Sequence, residues 1–226
     1  MNQFSFLESR NLFNHPPVPY EDFDNAFDYD ELFGAEKYAY NAYRHFIRPY
    51  LKDTTNKTIM DIKCGKAYAL ATLKAHYKFK KAIGYQSDPK LAIACKERHS
   101  NVQIYKDFIM SKQKDADYIF SIEAFDDYDN KSALLLRLRQ ALSDNGYLII
   151  IQSTKDKKVL LNHFNVLEKT HGLKSIYENE ISQDVFTAVE RISEQNEFLC
   201  ANYASYQSNY NYNVDYRIYV KVYQNV

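Results

Sequence analysis

From residue 57 to residue 180 short apolar segments alternate with amphipathic ones, and that alternation leaves few architectures open. KTIMDIK (57–63) reads as a strand and AYALATLKAHY (67–77) as a helix. KAIGYQ (81–86) is again strand, and DPKLAIACKERH (88–99) is a helix with Asp88 as its cap and Pro89 at its first position. VQIYKD (102–107) and ADYIFSI (116–122) are strands, KSALLLRLRQAL (131–142) a helix, and YLIIIQ (147–152) a fully apolar strand. KDKKVLLNHFNVLEKTH (155–171) is an amphipathic helix, followed by the strand LKSIYENE. Strands separated by helices of this length predict a doubly wound α/β sheet, whose parallel core strands are buried on both faces. After a helical insertion expected at about 182–205, NYNVDYRIYVKVY (211–223) alternates apolar and polar residues and is expected as a last, antiparallel strand.

The 226 residues suit one domain with an arm. Residues 1–30 hold NHPPVPY, extended by its prolines, and EDFDNAFDYDE, where acids interleave with aromatics; they read as an arm or lid on a domain spanning 31–226. Tyr40, Tyr43, Phe46, Ile47 and Tyr50 recur at helical spacing before Pro49 and KDTTNK close that segment. Lys+Arg and Asp+Glu both number 29, which gives no sign of a nucleic-acid or acidic-membrane partner. No apolar run reaches the ~18 residues of a membrane span, and MNQFSFLESR carries neither the basic start nor the apolar core of a signal peptide. Cys64, Cys95 and Cys200 suggest neither a disulfide framework nor a metal site, so a reducing, cytoplasmic setting is expected. The 21 tyrosines supply amphipathic surface suited to protein partners, expected to dock at residues 1–30 and 201–216.

TIMDIKCG, AIGYQSDPKLAIACKER, VQIYKD, DADYIFSIEAFDD, LRQALSDNGYLIIIQ and HGLKSIYENEISQDVFTAVE occur in an order that resembles class I S-adenosylmethionine-dependent methyltransferases, most closely bacterial small-molecule O-, C- and N-methyltransferases. The resemblance covers roughly residues 32–223 and implies a seven-stranded, mostly parallel sheet with its last strand antiparallel. It also implies a cofactor over the carboxyl ends of the first strands. The chain has only five glycines, and Gly34, Gly65, Gly84, Gly146 and Gly172 all fall where the family's pattern has one.

The family's first turn has the form D-x-G-x-G-x-G, because backbone must approach the ligand and adopt angles a side chain would forbid. Aligned on Asp61, this chain reads Asp61, Ile62, Lys63, Cys64, Gly65, Lys66, Ala67, so one glycine of three survives. Lys63 either pairs with the cofactor's carboxylate or fills a pocket no longer used; the second reading is preferred. The acidic residue that would accept from both ribose hydroxyls is Gln86, uncharged and without the stronger charge-assisted pair. Asp88 is better explained as the helix cap. Asp107 matches the carboxylate that contacts the adenine amino group.

After the fourth strand relatives read S-x-E-A-x-x-H; Ser121, Glu123 and Ala124 agree, while Asp127 stands for the His that shapes the substrate side or acts as base. Asp126, Asp127 and Asp129 are read as a solvated acidic loop rather than a metal site, and a reactive role for Cys64 between Lys63 and Lys66 is the lesser reading of that thiol. In small-molecule relatives a D-I-T-x-x-V segment walls the substrate pocket, and Glu180, Ile181, Ser182 and Val185 match it.

Losing a charged acceptor costs about 1.5–3 kcal/mol, and crowding by Lys63 with stiffening at Ala67 adds ~1–3 kcal/mol. Together these weaken cofactor binding by roughly a hundred- to a few thousand-fold. The expectation is therefore a methyltransferase-like domain with no cofactor and no metal, acting as a non-catalytic binding or scaffold subunit of a multiprotein complex. The alternative is a divergent active enzyme on a small hydroxylated or lipid-like molecule, using S-adenosylmethionine with Asp127 as its base.

Overall fold

The structure, a computed structural model, describes residues 46–184 and 217–226. The expected arm at 1–30, most of the predicted helical insertion and the Tyr-rich segment 201–216 lie outside the described residues. Strands β1 (Thr58–Asp61), β2 (Lys81–Tyr85), β3 (Gln103–Tyr105), β4 (Ala116–Ile122), β5 (Leu142–Thr154), β6 (Lys174–Glu180) and β7 (Arg217–Gln224) form a single sheet. Helices α1 (Tyr68–Tyr77), α2 (Pro89–Arg98), α3 (Lys131–Ala141) and α4 (Lys157–Lys169) connect them. The strand order is β3-β2-β1-β4-β5-β7-β6, with β7 antiparallel to both neighbours and the β1–β5 pairs parallel. This is the doubly wound, seven-stranded architecture expected.

Alternation along the strands builds two cores. Ile59, Ala82, Ile104, Tyr118, Phe120, Ile149 and Val220 face Leu70 and Leu73 of α1 and Cys95 of α2. Met60, Ile83, Ile119, Leu148, Ile150 and Tyr223 face Leu134 and Leu138 of α3 and Phe164 and Leu167 of α4. Each successive residue points to the opposite face, so both faces of the central strands are covered, as a parallel sheet requires.

The cap read from the sequence at Asp88 is present, and the structure adds two more. Asp88 accepts from the amides of Lys90 (2.7 Å) and Leu91 (3.0 Å), with Pro89 opening α2. Asn130 caps α3 through the Ala133 amide (2.9 Å) and Asp156 caps α4 through that of Val159 (3.1 Å). Two boundaries differ from the sequence reading. The strand expected at 147–152 runs over Leu142–Thr154: Ala116 pairs with Leu142 and Tyr118 with Tyr147, and the register shift between them takes up the intervening residues of β5. The strand expected to end at Asp107 stops at Tyr105, because the Asp107 carboxylate caps the amides of Ile109 (2.7 Å) and Met110 (3.2 Å).

Buried Arg137 of α3 holds the connection between β3 and β4. Its Nε donates to the Phe108 carbonyl (3.2 Å), its Nη2 to that of Gln113, and its guanidinium lies 5.1 Å from the Phe108 ring centroid. Among the described residues no helix is long and apolar enough to cross a membrane.

Candidate functional site

In a doubly wound sheet ligands bind outside the carboxyl ends of the strands, where the order reverses. Here that point lies between β1 and β4. The turn from β1 to α1, residues 62–67, forms one wall, and at least four of its six amides have a partner within the chain. The amide of Ile62 donates to the Phe120 carbonyl (3.1 Å), that of Lys63 to Asp61 Oδ1 (3.0 Å), and that of Cys64 to the Tyr85 carbonyl (3.0 Å). Ala67 donates to the Cys64 carbonyl (2.6 Å) and opens α1 with φ +61°, a left-handed conformation in which a residue other than glycine is strained by about 1–2 kcal/mol. Gly65, at φ +51°, keeps the glycine that such an angle favours.

Gln86 closes the turn from the side of β2. It is 6% exposed; its Nε2 donates to the Gly65 carbonyl (2.8 Å) and its Oε1 accepts from the Asp88 amide (3.0 Å). A carboxylate cannot make the first of these bonds, so the amide at this position is itself a structural group. The Cys95 thiol reaches the same Gly65 carbonyl at 3.3 Å. Cys64 is buried, and a Cβ on Gly84 would stand 2.6 Å from its sulfur, so the thiol packs against β2 instead of facing solvent. His99, at the end of α2, bonds to the Lys66 backbone; burial first, and then Arg98, pull its pKa below the usual range.

The opposite wall is the turn from β4 to α3. Glu123 sits at φ +49° with its Oε2 held by the Ser153 amide (3.0 Å) and hydroxyl (2.7 Å). Gln152 accepts from the Phe125 amide (2.9 Å), and Lys131 Nζ donates to the carbonyls of Phe125 and Tyr128, both at 2.6 Å. From this braced turn two side chains reach across. Asp127 forms an ion pair with Lys63, each side chain 45% exposed. Tyr128 donates its hydroxyl to the Ile62 carbonyl (2.5 Å). Burial, and then the negative charges of Asp61, Asp107 and Asp127, push the Tyr128 hydroxyl well above its ordinary pKa.

The structure thus brings Asp61, Lys63, Gly65, Gln86 and Asp127 to one turn, and places Asp107 in the neighbouring turn after β3, within electrostatic reach of Tyr128. Tyr128, Cys95 and the Glu123–Ser153 contact were not anticipated. A lone tyrosine among the acids of DDYDN was the available signal for the first. Among the described residues no group of three His, Cys, Asp or Glu side chains is placed to hold a metal ion.

A family model described as a methyltransferase domain matches residues 35–183, and the chain belongs to that family. No curated protein matches it. Among solved structures it is similar to StiE O-MT residues 942–1257, at 18% identity over 80% of this chain and 74% of that one, with TM-score 0.59. It is also similar to geranyl diphosphate C-methyltransferase from Streptomyces coelicolor A3(2), at 13% identity over 82% and 79%, with TM-score 0.60. Phosphoethanolamine N-methyltransferase 2 of Haemonchus contortus aligns at 15% identity over 93% of this chain and 60% of that one, with TM-score 0.66. At such identities these likenesses concern the fold.

Proposed function

We propose that this methyltransferase-like domain no longer binds S-adenosylmethionine and serves as a non-catalytic binding or scaffold subunit, meeting protein partners through residues 1–30 and 201–216. One observation carries the reading: the side chain in the ribose-binding position, Gln86, is used up inside the chain, its amide nitrogen on Gly65 and its oxygen on Asp88. Admitting the cofactor means breaking these bonds in a buried setting, at about 1–3 kcal/mol for a polar group left unanswered. Lys63 adds to the cost, since its ammonium is engaged by Asp127. The residues present therefore do not fit the cofactor as they stand.

Calorimetric titration with S-adenosylmethionine and S-adenosylhomocysteine tests this. The expected result is no binding heat up to millimolar ligand; micromolar affinity overturns the proposal. For the partner half, the expected result is that deleting 1–30 and 201–216 abolishes complex formation, and retention of function by that variant sinks the assignment.

Family membership itself favours a second reading, a divergent methyltransferase acting on a small hydroxylated or lipid-like molecule. It must do without Ser182 as a free pocket group: this buried hydroxyl accepts from the Ile218 amide (2.9 Å) and bonds Glu180 (3.0 Å), joining its segment to β7. It must also find a base other than an Asp127 already paired with a lysine.

A further inference from the structure

We propose that the β4–α3 turn is a built-in latch on the cofactor turn, with Asp127 and Tyr128 as its two catches, so that an adenosyl ligand is excluded until both contacts break. The inference rests on the reading of residues 62–67 as a cofactor turn in disuse, and adds how that turn is kept closed.

Three features distinguish a latch from ordinary packing. The first is where it lies. Asp61 pairs in register with Gly84 on one side and Phe120 on the other, so the turn above it opens at the reversal of strand order, where such sheets take their ligands. Tyr128 reaches across that opening to bond the Ile62 carbonyl, within electrostatic reach of the carboxylates of Asp61, Asp107 and Asp127.

The second is a rigid base. Glu123 holds a left-handed backbone that only its surroundings can enforce, here the amide and hydroxyl of Ser153. Lys131 then ties the carbonyls at both ends of the short turn Phe125–Tyr128. A turn braced in this way presents Asp127 and Tyr128 in one arrangement.

The third is a weak tip. The Lys63–Asp127 pair is nearly half exposed, and exposed pairs contribute little; the Tyr128 hydrogen bond adds a typical buried contact. Together they hold the closed form by roughly tenfold, enough to bias the turn and little enough to release. Strong bracing behind and weak contacts in front give two discrete positions in place of a continuous drift.

Hydrogen–deuterium exchange on the full chain tests this without a ligand, comparing wild type with D127N/Y128A. Amides of residues 63–67 are expected to exchange at least tenfold faster in the variant, with β4 and β5 unchanged. S-adenosylhomocysteine binding that is absent up to millimolar in wild type is expected to appear in the variant or, where wild type binds measurably, to tighten at least tenfold. Because removal of the ring could loosen the domain, D127A/Y128F serves as the second variant, keeping the aromatic packing while removing the carboxylate of one catch and the hydroxyl of the other. Unchanged exchange in a folded variant overturns the latch, and so does faster exchange with no gain in affinity. The comparison is between variant and wild type, so it remains readable even where wild type binds at micromolar concentration and the non-catalytic reading fails.

Discussion

Two lysine–carboxylate clusters sit at opposite parts of the sheet, and they use the same charges for different ends. Lys63 is nearly half exposed and meets a single carboxylate, Asp127. Lys221, near the middle of β7, is only 5% exposed at its side chain and meets two, Glu168 of α4 (2.8 Å) and Glu178 of β6. The rings of Phe164 (5.7 Å) and Tyr223 (5.4 Å) flank its ammonium, and Tyr223 donates its hydroxyl to the Phe164 carbonyl (3.2 Å). Solvent weakens the first cluster and leaves it reversible; burial makes the second expensive to disturb. Burial, more than the residue types, decides which pair holds the fold together and which can act as a catch.

The largest expected effect is therefore at Lys221. Lys221→Ala removes the shared partner of Glu168 and Glu178, whose side chains are 34% and 42% exposed and can turn to solvent. It should therefore cost about 1.5–3 kcal/mol, less than a fully buried pair would, read from urea unfolding. A loss below about 1 kcal/mol would mean that water reaches the cluster and that the contrast with Lys63 is illusory.

Alkaline titration comes next. Burial alone would lower the Lys221 pKa, but Glu168 and Glu178 outweigh it and the net shift is upward. A raised folded pKa stabilises the fold in full below the unfolded value, about 10.4, and that stability is lost as pH climbs through the folded value. Tyr118, pushed up to about 12 chiefly by burial and then by Tyr147, and Tyr223, also raised by burial, work in the same direction. Stability should be level up to about pH 10 and then fall. The fall should be shallower in Lys221→Met, and equal slopes in the two proteins would remove Lys221 from the account.

Why the fold could be read from the sequence while the site could be read only in part follows from the range of the forces involved. Strand and helix periods, the Asp88–Pro89 cap and the antiparallel character of 217–224 are local signals, and they lie in the structure close to where the pattern put them. Gln86 was legible as a missing carboxylate, yet its use as a donor to Gly65 depends on a turn 21 residues away. Tyr128 lay in an acidic stretch read as solvated, and its contact with Ile62 spans 66 residues. The strand end expected at Asp107 falls at Tyr105, because capping the amides of Ile109 and Met110 competes with extending the ladder.

A substitution that keeps shape and changes only donor to acceptor tests the turn without touching either lysine. Gln86→Glu preserves the acceptor for the Asp88 amide but turns a second oxygen toward the Gly65 carbonyl, in a setting that is 6% exposed. The expected loss is about 1–3 kcal/mol, the usual cost of a buried polar group left without its partner, measured by thermal or urea unfolding. Wild-type stability would show that the Gln86–Gly65 bond does not hold the turn.

The smallest effect is expected at Asp127, and its smallness is informative. Asp127→Asn keeps the shape of the side chain and removes one charge from an exposed pair, so stability should change by about 0.5 kcal/mol or less. Salt then separates the clusters. At 1 M ionic strength the screening length is about 3 Å, so the difference between wild type and Asp127→Asn should vanish. The cost of Lys221→Ala should persist under the same conditions, because little solvent reaches that ammonium to screen it. A salt-resistant Asp127 effect above about 1 kcal/mol would place the Lys63 pair with the structural cluster and deny it the reversibility that a latch needs.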